Sequence, residues 1–158
     1  MRQEMLLEDP VIAAKPMSFE PPKPLTILLV EDEGFVREVT GKVLQSAGYR
    51  VLSTCNAAEA KRKFRRCENG IELLLTDVVL PDRDGLTLAN DLRSVYPGLK
   101  IIFMSGYPEN AVTQSGLHKQ EGLYLHKPFS TESLMGKISR VLHKSEKIRT
   151  SEEDEVRR

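Results

Sequence analysis

The sequence predicts an α/β fold, a doubly wound five-stranded parallel sheet carrying five helices. Three observations predict it. From residue 25 onward, short apolar runs alternate five times with segments whose apolar residues recur at helical spacing. The connections are short, so successive strand-helix-strand units cross over right-handed into a parallel sheet. Four of the five runs end on acidic, hydroxyl or cationic residues, and open sheets of this kind hold their sites at the carboxyl ends of the strands.

The first run, residues 25–30, is apolar almost throughout, as expected for a strand covered by helices on both faces. A helix over 34–47 follows, with Val36, Val39, Val43 and Ala47 spaced as its core stripe and Gly48 as its stop. Strand two spans 50–54. It leads through Asn56, an N-cap, into a helix that aligns Ala57, Ala60, Phe64 and Cys67 on one face. Strand three covers 71–76, and its helix runs over 85–95 until Tyr96-Pro97-Gly98 ends it. Strand four covers 100–104 and precedes a helix starting near Pro108, a residue suited to a first helical turn. Strand five covers 123–126. The last helix sets Leu134, Ile138, Val141 and Leu142 at core spacing.

Ahead of these elements, residues 1–24 hold Pro10, Pro16, Pro21, Pro22 and Pro24, which remove backbone donors too often for a helix or central strand. This stretch reads as an extended leader or linker. Residues 25–144 form the domain, and 145–158 a charged tail in which Glu153/Arg157 and Asp154/Arg158 have helical i,i+4 spacing.

Composition narrows the function. Of 158 residues, 40% are hydrophobic and 29% charged, the balance of a chain that buries a core. Lys plus Arg and Asp plus Glu stand at 23 each, so no net field recruits nucleic acid or an anionic membrane. No apolar run approaches the roughly 20 residues that span a bilayer, and the start lacks the basic-then-apolar order of a signal peptide. A cytoplasmic location is expected. Cys55 and Cys67 lack CxxC spacing and read as buried free thiols. His118, His126 and His143 form no ligand pattern, and Lys61 to Arg66 read as a solvated helix face, with an acidic partner as the lesser reading.

The chemistry lies at the strand ends. Glu31, Asp32 and Glu33 follow the first run, Asp77 the third, Ser105 the fourth and Lys127 the fifth. Carboxylates gathered at one sheet edge repel by roughly 4 kcal/mol per pair at 4 Å and an effective dielectric of 20, so positive charge must join them. Lys127 and a divalent cation are the natural sources, and oxygen-only donors favour Mg²⁺ over zinc. If Glu31, Asp32 and Asp77 converge, their charge of about −3 is offset by one Mg²⁺ and Lys127. A carboxylate that attacks a phosphoryl group forms an acyl phosphate, and the protein need only align the groups and neutralise charge. Asp77 is the expected nucleophile.

The residues around these positions are Val-Glu-Asp-Glu, Leu-Thr-Asp-Val-Val-Leu-Pro-Asp-Arg-Asp-Gly, Met-Ser-Gly-Tyr and Leu-His-Lys-Pro-Phe. They closely resemble the receiver domain of two-component response regulators, a likeness that covers residues 25–143. The resemblance implies a flavodoxin-like strand order of 2-1-3-4-5. It implies that Mg²⁺ is bound directly by Asp32, Asp77 and the backbone carbonyl of Val79, and by Glu31 through water. It also implies that Ser105 hydrogen-bonds the acyl phosphate, that Lys127 contacts a phosphoryl oxygen, that a cis bond precedes Pro128, and that Tyr124 is an aromatic switch. A tyrosine at a strand end is also often plain core with a wet hydroxyl. In the resembled family the positions of Val79 and Tyr107 influence entry of the hydrolytic water, and their bulk implies a slowly hydrolysed acyl phosphate.

The function implied is a phosphorylation-controlled binding module, not an enzyme beyond its own phosphorylation and dephosphorylation. A histidine kinase or histidine phosphotransfer protein donates to Asp77. Ser105 and Tyr124 then shift, and the region of the last two helices changes its preference for an unidentified protein partner or for a second copy of the chain. No attached output domain is expected. A phosphoryl sink or relay is the alternative, as is the C-terminal receiver of a hybrid histidine kinase with the leader as linker. A flavin-binding protein would need donors where three acids follow the first strand. A haloacid-dehalogenase-like phosphatase would need Asp-x-Asp, where this chain has Asp77-Val78-Val79.

Overall fold

The computed structural model describes residues 23–67, 70–106 and 123–156, with side chains through His143. The leader up to Pro22, Tyr107, His118 and the helix expected near Pro108 lie outside the described residues. Five strands, β1 (Thr26–Val30), β2 (Arg50–Thr54), β3 (Leu73–Asp77), β4 (Lys100–Ser105) and β5 (Leu123–His126), pair in parallel in the order β2-β1-β3-β4-β5. Among the described residues four helices accompany them, α1 (Gly34–Ser46), α2 (Ala57–Arg66), α3 (Gly85–Val95) and α4 (Thr131–Val156). Helix α4 continues as backbone through most of the charged tail.

Alternation along the strands divides the core in two. Leu28, Val30, Leu74, Ile101 and Phe103 face α2 and α3, meeting Ala57, Ala60, Leu88 and Leu92. Ile27, Leu29, Leu73, Leu75, Ile102 and Met104 face the other way, toward Leu44 of α1 and Leu134 and Ile138 of α4. Every residue of β1 and β3 is buried, which is why those runs show no polar alternation. The predicted stripes of α2 and α4 pack as expected, with Phe64 and Cys67 against the first core and Val141 and Leu142 against the second.

Helix α1 differs from its predicted orientation. Its buried residues are Thr40, Gly41 and Leu44, whereas Val39 is 44% exposed and Ala47 is exposed. The helix is turned by about one residue, with Gly41 facing the sheet, where an added Cβ would meet Ser53 Oγ at 3.5 Å and Leu29 Cδ2 at 3.9 Å, ordinary contact distances. The turn leaves Phe35 and Val39 facing solvent. Gly48 stops the helix with φ +98°, a conformation glycine adopts at no steric cost. Two strands also run one residue further than predicted, so Asp77 and Ser105 are the last residues of β3 and β4 rather than the first beyond them. The cysteines are free, as expected, but half-buried rather than buried. Cys55 Sγ lies 3.4 Å from Glu59 Oε2, and Cys67 Sγ lies 3.6 Å from the Gly70 carbonyl.

A candidate phosphoryl-acceptor site at the sheet edge

The sheet register places the strand carboxyl ends side by side, with Val30 opposite Thr54 and Thr76, Asp77 opposite Met104, and Ser105 opposite His126. Backbone bonds carry the pairing into the loops beyond: Glu31 N–H donates to the Thr54 carbonyl (3.1 Å), Val78 to Met104 (3.0 Å) and Lys127 to Ser105 (2.8 Å). Chain continuity across four strands therefore delivers Glu31, Asp32, Asp77, Ser105 and Lys127 to one edge. Asp32, Asp77, Val79, Ser105 and Lys127, with Val78, Met104 and Gly106, line a cleft of about 420 Å³. Carboxylate oxygens of Glu31, Asp32 and Asp77 lie within 4.8 Å of one another.

Burial within this group is uneven. Glu31 and Asp77 are buried, at 1% and 5% exposure, while Asp32 faces solvent. Lys127 Nζ lies 2.5 Å from Asp77 Oδ1 and also donates to Glu31 Oε2. Glu31 Oε1 accepts from the Glu33 N–H at 3.1 Å. Desolvation and the adjoining Glu31 carboxylate push the Asp77 carboxyl up to about 8, against the opposing pull of Lys127. For Glu31, desolvation is outweighed by hydrogen bonds to Asp77, Lys127 and Glu33, and its carboxyl lies below the usual range. Burial disfavours the Lys127 ammonium, but the two carboxylates more than compensate and hold it above its ordinary value. The opposed shifts favour a proton on Asp77 and negative charge on Glu31, with Lys127 beside both.

Tyr124 of β5 is stacked on Phe103 with ring centroids 5.7 Å apart. Its hydroxyl is buried and has no hydrogen-bond partner among the described residues, and burial raises its pKa. The peptide bond between Lys127 and Pro128 is cis. Lys61 pairs with Asp91 (2.6 Å) and Lys63 donates to the Ser53 carbonyl (2.8 Å), while Arg62, Arg65 and Arg66 of the same basic run are exposed.

Three residues near the cleft had not been singled out from the sequence. Arg37 of α1 reaches back to the carbonyls of Glu31 (2.8 Å) and Asp32 (3.3 Å), bracing the acidic loop. Gly85 opens α3 directly against Asp77, where a Cβ would lie 1.9 Å from the Asp77 carbonyl oxygen. Asp82 accepts from the Ala57 and Ala58 N–H groups at the start of α2, at 2.9 and 3.0 Å. Arg37 acts on backbone atoms across a strand-to-helix loop and Asp82 on backbone atoms 24 and 25 residues away, which no spacing rule exposes. The Asp-Gly pair at 84–85 was readable as a helix start, but its contact with Asp77 was not.

An open parallel sheet that gathers acids and a bridging lysine at its carboxyl edge defines a flavodoxin-like α/β domain with a charged cleft at the topological switch point. The family model of the response regulator receiver domain matches residues 27–139, and the chain belongs to that family. It is 35% identical over 116 residues to the response regulator receiver protein CpdR of Brucella abortus, covering 73% of this chain and 95% of that protein. It is 34% identical over 148 residues to the sensor kinase CckA of the same organism, covering 91% of this chain but only 16% of the kinase. The receiver domain from hybrid histidine kinase CckA superposes with a TM-score of 0.63 at 30% identity, covering 74% of this chain and 98% of that domain. TrrA of Thermotoga maritima, solved with Mg²⁺-BeF, superposes with a TM-score of 0.65 at 27% identity, covering 74% and 98%. The chain is thus a receiver domain of two-component signalling. Among its described residues no helix is long and apolar enough to cross a membrane.

Proposed function

We propose that Asp77 accepts a phosphoryl group from a phosphohistidine and that the acyl phosphate switches partner binding through Ser105 and Tyr124. The observation that carries this reading is the buried Asp77 carboxylate, 2.5 Å from Lys127 and within 4.8 Å of the Glu31 and Asp32 carboxylates at the mouth of a cleft. In the transfer an Asp77 oxygen forms the new O–P bond while the N–P bond to the donor imidazole breaks. The released electron pair stays on the imidazole nitrogen, and the acyl phosphate remains on Asp77.

The donor set fits Mg²⁺, since three carboxylates converge with no imidazole or thiolate among them. Asp32, Asp77 and the Val79 carbonyl would hold the ion, with Glu31 reaching it through water. When bound it supplies positive charge against the phosphoryl oxygens. Lys127 holds the Asp77 carboxylate in place and offers an ammonium to a phosphoryl oxygen, while Ser105 on the cleft wall offers its hydroxyl to another. The buried Tyr124 hydroxyl supports the switch role, because a buried hydroxyl without a partner costs about 1–3 kcal/mol and favours any conformation that satisfies it.

Incubation with acetyl phosphate and Mg²⁺, followed by intact-mass measurement, tests the reading. Wild type gains one phosphoryl mass and Asp77→Asn gains none; an unlabelled wild type, or equal labelling of both, would overturn it. A second reading, the receiver of a hybrid histidine kinase, is favoured by the 148-residue match to the CckA sensor kinase, which extends beyond residues 27–139. A kinase core encoded in frame with this chain would establish it, and a stop codon between the two would exclude it.

A further inference from the structure

We propose that Asp82 is a positioning residue for the acceptor site, tying the loop after β3 to the start of α2 and thereby setting the geometry in which the acidic cleft takes a divalent cation. The inference rests on the cation-assisted reading above and goes beyond it in assigning a residue outside the cleft.

Asp82 is an exposed carboxylate, yet both of its oxygens are committed to backbone donors 24 and 25 residues away, on another element. Helix α2 already has its own N-cap, since Asn56 Oδ1 accepts from the Glu59 N–H at 2.8 Å. Asn56 leaves the N–H groups of the buried Ala57 and the exposed Ala58 unserved, and Asp82 takes both. Because the acid comes from 25 residues away, completing the cap also ties the loop after β3 to α2. Ladder pairing between β1 and β3 ends at Val30 and Thr76, so beyond that level the sheet no longer fixes the distance between the acidic loop and residues 78–84. Val79 is 59% exposed and is not held by packing. The loop has the Val79–Asp84 bridge and the Gly85-to-Val78 bond (2.7 Å) at its base, the buried Leu80 in its middle, and Asp82 and Arg83 at its tip.

The tie closes a ring through the residues on one side of the cleft. Glu31 N–H donates to the Thr54 carbonyl at 3.1 Å; three residues on, Ala57 donates to Asp82; Asp82 leads back along the chain through Val79 to Asp77; and Lys127 joins Asp77 to Glu31. Among the described residues Asp82 supplies the side-chain hydrogen bonds in that ring, beside the packing of Leu80 in the core that also holds Ala57 and Ala60. Backbone carbonyls make metal ligands only where the loop shape is held, and the partners that hold ligands affect affinity in proportion.

Titration calorimetry with Mg²⁺ on the full chain separates positioning from simple capping. Asp82→Ala should weaken Mg²⁺ binding by about tenfold, the lower end of what loss of an outer partner costs, and Asp82→Asn, which keeps one acceptor oxygen, by about threefold. Asn56→Ala removes the helix's own cap and should lower the thermal midpoint while leaving Mg²⁺ affinity unchanged. Binding by Asp82→Ala within about twofold of wild type, or an equal loss in Asn56→Ala, would overturn the inference. If Asp82→Ala does not fold, Asp82→Asn decides by the same comparison. Wild type that binds Mg²⁺ while the Asp82 variants match it removes this inference alone, whereas wild type that binds none removes the cation reading together with it.

Discussion

At the residue scale, the charge state of Asp77 governs the site. Its carboxyl is raised to about 8, first by desolvation and then by Glu31. A group whose folded pKa is raised favours the fold below its unfolded value and loses that contribution as pH rises; here the loss runs from about pH 4 to pH 8. A cation reverses the preference, because it binds the carboxylate and must displace the proton. Mg²⁺ affinity should therefore climb by up to about tenfold per pH unit below pH 8 and level off above it, with proton release on binding. Calorimetry in buffers of different ionisation enthalpy reads both; affinity that is flat from pH 6 to 8 would contradict the raised carboxyl. The acids, Ser105 and Lys127 were legible in the sequence because each ends an apolar run, where a polar residue has no packing role. The protonation asymmetry between Glu31 and Asp77 was not legible, since it depends on which of the two also accepts from the Glu33 N–H.

At the scale of elements, the site depends on how closely helices approach strand ends. Helix α3 begins on Gly85, caps itself through Asp84 Oδ1 and the Thr87 N–H at 2.7 Å, and lies against the Asp77 carbonyl. Gly85→Ala drives a methyl group to 1.9 Å from that oxygen, a clash with backbone that no side-chain rotation relieves. It should cost about 3 kcal/mol or more of stability in urea unfolding, and a loss under about 1 kcal/mol would show that α3 can slide away from β3. Helices α2 and α4 were readable because each has one apolar stripe. Helix α1 carries Phe35, Val36, Val39, Val43 and Leu44, which outline two overlapping stripes. The face turned to the sheet carries Thr40, Gly41 and Leu44, and the first two have little hydrophobic signal.

For the molecule as a whole, the cleft exists only when the sheet is assembled. Its acids and lysine come from the ends of β1, β3 and β5, so the unfolded chain has no comparable site, and any ligand of the cleft stabilises the entire domain. At a free Mg²⁺ concentration a hundredfold above its dissociation constant, linkage contributes about 2.7 kcal/mol. For a chain of this length that corresponds to a rise in Tm of about 5–10 °C. The rise should be greater at pH 8 than at pH 6, because proton displacement from Asp77 opposes binding at the lower pH, and adding EDTA should abolish it. Potassium chloride at matched ionic strength should not reproduce it, since screening acts on exposed charges while Glu31 and Asp77 are buried. A Tm that responds equally to both salts would mean that the acidic cluster senses ionic strength without holding a cation. A Mg²⁺ effect of the same size in Asp77→Asn would move the binding site away from Asp77.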